Sequence, residues 1–223
     1  MTRALLVIGG NGQTGQQIVA KLRAHGDTVR VLSRRPDAVA DAQIVRGDIT
    51  DSAAVRAAMA DVAGVVIIVE SADNDDAPNS PERVHYGGAL HVIAAASPHT
   101  QIVLVTQIYI TRPERYPQVR NIIHWHGQAE AAVRASGNPY TIVRPSWLLD
   151  DPGTYTGLRL ELGDMGEGRI SRTAVAEACA QALWHAEAQG KTFELYGQNS
   201  APPSDWSALF ATLAPDRLEA MND

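Results

Sequence analysis

Gly9, Gly12 and Gly15 recur at three-residue spacing within VIGGNGQTGQQIV, residues Val7–Val19, between an apolar run and an amphipathic one. Glycines so placed suit the holding of a pyrophosphate against bare backbone. Gly9 permits a tight turn, a side chain at position 12 would block the phosphates, and Gly15 lets a helix pack on the preceding strand. The phosphates would meet unpaired N–H groups and the positive end of a helix dipole, with Asn11, Gln13 and Thr14 in the same loop. The spacing alone is weak. A strand before it and a helix after it, in the first βαβ unit, supply the context of a dinucleotide site; a turn with only a structural role is the alternative.

The end of the second predicted strand selects between the nicotinamide coenzymes. It reads Val31-Leu32-Ser33-Arg34-Arg35-Pro36, with no acid before Asp37. An NAD site usually offers a carboxylate there to the ribose 2′-hydroxyl, whereas two guanidiniums suit a 2′-phosphate, so NADP(H) is the expected coenzyme. Either arginine could instead be an ordinary surface charge. Gly47-Asp48-Ile49 follows the third strand, where adenine would lie. Asp48 could accept from the adenine amino group while Ile49 packs on the ring, or Asp48 could cap the helix starting near Ser52. Glu70 and Ser71 follow the fourth strand and open a polar stretch, Ser71–Pro81, at the carboxyl edge of the sheet, where ligands bind in this architecture. A solvated loop without a role is the competing reading.

These residues need elements to hold them. Short β-rich runs are read as strands at Ala4–Ile8, Thr28–Leu32, Gln43–Arg46, Gly64–Val69, Gln101–Thr106 and Tyr140–Val143. Helical patterns lie between them at Gln13–Ala24, Ser52–Ala60, Pro81–Ala96 and Asn121–Ser136. Runs such as Val65–Val69 are apolar on both faces, as strands covered by helices on both sides must be. Strict alternation predicts an α/β fold with a doubly wound parallel sheet, a Rossmann fold, as one domain over residues 1–223. After Pro145 the pattern changes: Thr154–Asp164 reads as extended, Arg172–Ala188 as helix, Thr192–Tyr196 as strand and Ser204–Leu213 as helix. Residues from about 146 onward are expected to form a small substrate-side lobe.

Bulk composition narrows the classes. The chain has 223 residues, 45% hydrophobic, enough for one sizeable core. A net charge of −6 argues against nucleic acid as a partner, since phosphate backbones reward clustered Lys and Arg. No run approaches the ~20 apolar residues of a membrane span, and no secretory segment is seen. Cys179 is the one cysteine, with no intramolecular disulfide partner, so a reducing cytoplasm is the expected home. On its Ala-rich helical stretch it reads as an inert buried thiol.

Gly9-x-x-Gly12-x-x-Gly15, VLSRR, RGDITD, YTIVRPSWLLDD, GRISRTAVAEACAQAL (168–183) and KTFELYG (191–197) together resemble the atypical short-chain dehydrogenase/reductases. That group includes NmrA-like proteins and biliverdin-IXβ/flavin reductases, and the likeness runs from Ala4 to Gly197. The resemblance implies NADP(H) binding, with the nicotinamide near the ends of the fourth, fifth and sixth strands and Pro145, Ser146 and Trp147 as wall residues. It also implies a Tyr-x-x-x-Lys dyad before the TIVRP strand. Here the tyrosine position reads Ile122 and the lysine position His126, while the strand-five Ser-Ser reads Thr106-Gln107. Isoleucine transfers no proton, and histidine lacks lysine's fixed charge and reach at neutral pH. Thr106 and His126 remain the candidate catalytic groups beside the nicotinamide, His126 as a proton donor. Tyr116, four residues before Arg120, mimics the dyad but lies too early and is followed by Pro117; it reads as a loop tyrosine.

Other groups suggest less. His124 and His126 would point about 200° apart on a helix and no third ligand is near, so no metal is expected. His25, His85, His91, His99 and His185 lie at element ends and read as surface residues; Trp184 and Trp206 read as packing. Trp147 could stack on a flat substrate or anchor the tail. The expected activity is NADPH-dependent hydride transfer to a planar small-molecule acceptor: a quinone, a flavin or a conjugated carbonyl. The alternative is a non-catalytic NADP(H)-binding redox sensor of NmrA-like type. A monomer or homodimer is expected.

Overall fold

The computed structural model describes residues 3–35, 39, 42–151 and 153–217. Strand β1 (Ala4–Ile8) is buried on both faces over Leu5–Ile8, so it lies inside a sheet. It pairs in parallel with β2 (Thr28–Ser33) and β4 (Gly64–Ile67), and β3 (Gln43–Arg46) continues beyond β2. Beyond β4 come β5 (Gln101–Val105) and β6 (Tyr140–Pro145), both parallel. Alternate side chains enter opposite cores. Leu5 and Val7 join Val66, Val103, Ile18 and Leu22, whereas Leu6 and Ile8 join Val65, Ile67, Val55 and Val92. Helix α1 (Gln13–Ala24) and α5 (Arg172–Trp184) pack together on one face; α2 (Ser52–Met59), α3 (Gly88–Ala95) and α4 (Arg120–Ala135) cover the other. The sheet is therefore doubly wound, as expected. Its strand order reverses between β1 and β4, which opens a crevice at their carboxyl ends.

The C-terminal segment departs from the expected lobe. Strand β10 (Lys191–Gln198) inserts beside β6 in parallel, and β8 (Gly157–Glu161) closes that edge antiparallel to it. Residues 191–197 are buried throughout, because the polar members have partners: Lys191 Nζ donates to the Phe210 carbonyl at 2.7 Å and Glu194 pairs with Arg144 at 3.0 Å. What remains near the crevice is a two-stranded sheet of β7 (Trp147–Leu149) and β9 (Arg169–Ser171). The helix read over Pro81–Ala96 divides into a π-helical turn (Glu82–Gly87) and α3. A Cβ at Gly88 would overlap Ile49, so glycine lets this helix sit close to the β3–α2 connection. The tail helix α6 spans Trp206–Ala211, with Trp206 packed on Phe210, ring centroids 5.5 Å apart.

Candidate functional site

The crevice at the carboxyl ends of β1, β4, β5 and β6 encloses a cleft of about 840 Å³. At its floor Gly9 has φ +92°, and a Cβ there would overlap the Ile68 carbonyl; a Cβ at Gly15 would overlap the Gly9 backbone. Both positions require glycine for the fold itself. Gly12 differs. A Cβ there would meet only the Gly9 carbonyl, at 3.4 Å, and would otherwise project into open space. Gly12 is also the N-cap of α1 and contributes no side-chain cap, whereas Asp51, Ser171 and Asp205 cap α2, α5 and α6. The start of α1, with Asn11, Gln13 and Thr14, thus presents uncapped backbone to the cleft.

Every coenzyme-side residue singled out above lines this cleft except Arg35. Arg35 is exposed and is not among the residues that line the cleft; its backbone N–H donates to Ser33 Oγ at 2.9 Å, which shapes the turn after β2. Arg34 keeps the expected place, exposed and loosely paired with Asp48 (Nε–Oδ2 3.6 Å). Ser33 is buried and accepts from Asn11 Nδ2. Asp48 does not cap α2, because Asp51 accepts from the Ala53 and Ala54 N–H groups instead. One Asp48 oxygen holds the Thr50 N–H and hydroxyl, both at 2.9 Å, and Ile49 is buried beside it. Glu70 and Ser71 line the wall opposite α1, joined by Asn79 from the polar loop.

The far end gathers Thr106, Ile122, His126, Pro145, Ser146 and Trp147. Ile122 and His126 lie one helical turn apart on α4. His124 is exposed on the opposite side of that helix, so the two histidines share no ligand. The Thr106 hydroxyl donates to Glu130 Oε1 at 2.7 Å. Glu130 in turn is fully buried and bonded to Arg144 (2.6 and 2.9 Å) and Arg134 (2.9 Å). Thr106 is therefore a correction: its proton is committed to a buried carboxylate, leaving its oxygen as an acceptor. His126 is buried, which lowers its pKa from 6.5 to about 4 and keeps the ring neutral at pH 7. A neutral imidazole can share a hydrogen bond there, but it is not the imidazolium acid that a proton donor would offer.

His85 corrects the surface reading more sharply. It is 5% exposed, lines the cleft from the π-helical turn, and stacks obliquely on His126 with ring centroids 4.0 Å apart. Its place at the edge of the helical pattern suggests a surface; it lies instead within the π-helical turn, on the cleft side. His91 is half-buried, its Nδ1 2.9 Å from the Ile49 carbonyl. Cys179 is fully buried, and burial raises its pKa to about 12. Among the described residues, no three His, Cys, Asp or Glu side chains gather as a metal site.

The mouth is aromatic. Trp147, 47% exposed, meets Tyr116 edge-on at 5.0 Å, and Tyr109 stacks against Tyr116 at 4.4 Å. Trp147 is thus a rim residue and not a packing anchor. Tyr109 has φ +73°, held by the buried Asp164 carboxylate, which accepts from the Tyr109 N–H at 2.7 Å and the Thr111 N–H at 2.9 Å. The Tyr109 hydroxyl donates to Glu167. No pattern in the sequence links residues 109–111 to residue 164.

A dinucleotide fits these residues on three counts. The α1 start is bare, the space beside Gly12 is open, and buried polar atoms along the cleft are unpartnered. Among the described residues, Asn11 Oδ1, His126 Nδ1 and Ser146 Oγ are buried, lack a hydrogen-bond partner and belong to cleft-lining residues. Buried polar atoms are rarely left so, and a bound polar ligand is one way to satisfy them.

Comparison with known proteins agrees with this geometry. The family model described as NAD(P)H-binding matches residues 9–186. An uncharacterized chloroplastic protein of Arabidopsis thaliana is 30% identical, over 92% of this chain and 74% of its own. Sanguinarine reductase of Eschscholzia californica is 27% identical, over 93% of this chain and 94% of its own. A solved structure from Bacillus halodurans, described as a candidate NAD-dependent epimerase/dehydratase, superimposes with a TM-score of 0.81 at 20% identity, covering 95% of this chain and 100% of that one. No helix among the described residues is long and apolar enough to cross a membrane. With its fold, glycine loop and cleft in place, the chain belongs to the NAD(P)H-binding family.

Proposed function

We propose that the protein is an NADPH-dependent reductase of a planar small-molecule acceptor such as a quinone, a flavin or a conjugated carbonyl. The observation that carries this reading is the character of the far end of the cleft. Aromatic and aliphatic side chains (Trp147, Tyr109, Ile122, Leu148) wall it, and among the described residues that line the cleft there is no lysine to serve as a charged acid for a simple ketone. A reduced nicotinamide, when bound, supplies the hydride; the protein supplies orientation and excludes water. Acceptors of this class spread the added charge over a conjugated system and take their proton from solvent.

The residues divide the work. The uncapped start of α1 receives the pyrophosphate, and Arg34 with Ser33 receives the 2′-phosphate. His126 Nδ1 and Ser146 Oγ, both without partners, offer hydrogen bonds to the nicotinamide half. Flat rings at the mouth stack on a flat acceptor. The name of the Californian poppy relative, a reductase, is consistent with the same use. The test follows NADPH absorbance with a panel of quinones, FMN and conjugated aldehydes. Turnover that falls on Trp147→Ala supports the reading; binding of NADPH without turnover of any acceptor overturns it in favour of a non-catalytic role.

A further inference from the structure

The cleft contains a second histidine that no step above uses. His85 enters from the π-helical turn Glu82–Gly87, and such turns break helical periodicity where a side chain must be re-aimed. Its Nε2 lies 3.1 Å from Ser71 Oγ, and its ring lies 4.0 Å from that of His126 at a tilt of 58°. His126 follows on α4 with Nδ1 buried and unpartnered beside the cleft. One element thus packs a ring against the other's ring and is itself tied to the loop after β4.

We propose that His85 is a positioning residue for His126: tied to Ser71, its ring packs on that of His126 and fixes its orientation, so that Nδ1 meets a hydroxyl or amide of the coenzyme's nicotinamide half. This rests on the reading of the cleft as a coenzyme site. A neutral imidazole has one donor and one acceptor nitrogen, and the orientation of the ring decides which of them faces the ligand. Burial lowers the pKa of both rings, so the contact is between two neutral groups. The result is an anchor without fixed charge, which leaves an oxidised, positively charged nicotinamide unrepelled.

Nitrogen-15 NMR of the histidine rings, combined with calorimetric titration of NADPH, tests this in wild type, His85→Ala, His85→Asn and Ser71→Ala. In the wild type, NADPH should shift the His126 Nδ1 resonance. His85→Ala should move the His126 ring resonances before any ligand is added, because the packed ring is lost, and weaken NADPH roughly five- to tenfold, the scale of one lost hydrogen bond. His85→Asn, which can still bond Ser71, should recover part of the loss. Ser71→Ala is a surface-loop change and serves should His85→Ala fold poorly; it should move the same resonance in the same direction. Unchanged His126 signals and unchanged NADPH affinity in the variants would overturn the role of His85. Absence of NADPH binding to the wild type would instead overturn the coenzyme reading.

Discussion

His126 shows how burial sets what a single residue can do. Its pKa falls from 6.5 to about 4 because the folded protein cannot solvate the imidazolium. The unfolded chain therefore binds the extra proton between those values, and the sign follows: the penalty is absent above about 6.5, grows as pH falls, and levels off below about 4. Melting temperatures measured across that range should drop less steeply for His126→Gln than for the wild type. Two other residues separate fold from binding. Gly12→Val should abolish binding of NADPH and NADH alike while leaving the circular dichroism spectrum intact, since a Cβ there meets only the Gly9 carbonyl, at 3.4 Å, and otherwise projects into open space. Arg34→Ala should weaken NADPH by about 1.5–3 kcal/mol, the range for a charge-assisted hydrogen bond, and leave NADH unchanged in calorimetry.

Between elements, two buried carboxylates do the tying. Glu130 on α4 accepts from Thr106, just beyond β5, and from Arg144 on β6, which also reaches Glu194 on β10. Removing one partner leaves charge buried without compensation, so Glu130→Gln should cost about 3–5 kcal/mol in urea denaturation. Asp164 clamps the loop after β5, and Asp164→Ala should raise the KM for the acceptor while leaving the NADPH dissociation constant near its original value. Much at this scale was legible beforehand. β1, β3 and α1 were placed at their observed ends, because apolar runs bounded by Gly and turn residues leave little choice of boundary. The π-helical turn was not legible, since periodicity assumes 3.6 residues per turn throughout. Nor was β7–β9 pairing, whose partners lie some twenty residues apart in unpatterned sequence.

For the whole molecule, the doubly wound sheet decides where a ligand can bind, and the pattern of the local sequence already points there. The alternation of β and α units fixes a switch point beside β1, and Gly12 stands at it. The residues that the sequence singled out around the glycine loop and after β2, β3 and β4 accordingly line the cleft, apart from Arg35. At the far end Tyr109 and His85 were not legible, because they arrive there through loop conformation and a widened helix turn, which carry no periodic signature. The Thr192–Tyr196 strand reads as part of a small substrate-side lobe, whereas β10 joins the main sheet beside β6, with Lys191, Thr192 and Glu194 paired to Phe210, Asp216 and Arg144. Isothermal calorimetry of the full chain with NADPH and NADH probes the site that all of this geometry serves. One nucleotide per chain, with NADPH bound more tightly than NADH, is the predicted result; no heat with either nucleotide, or equal or tighter binding of NADH, would contradict it.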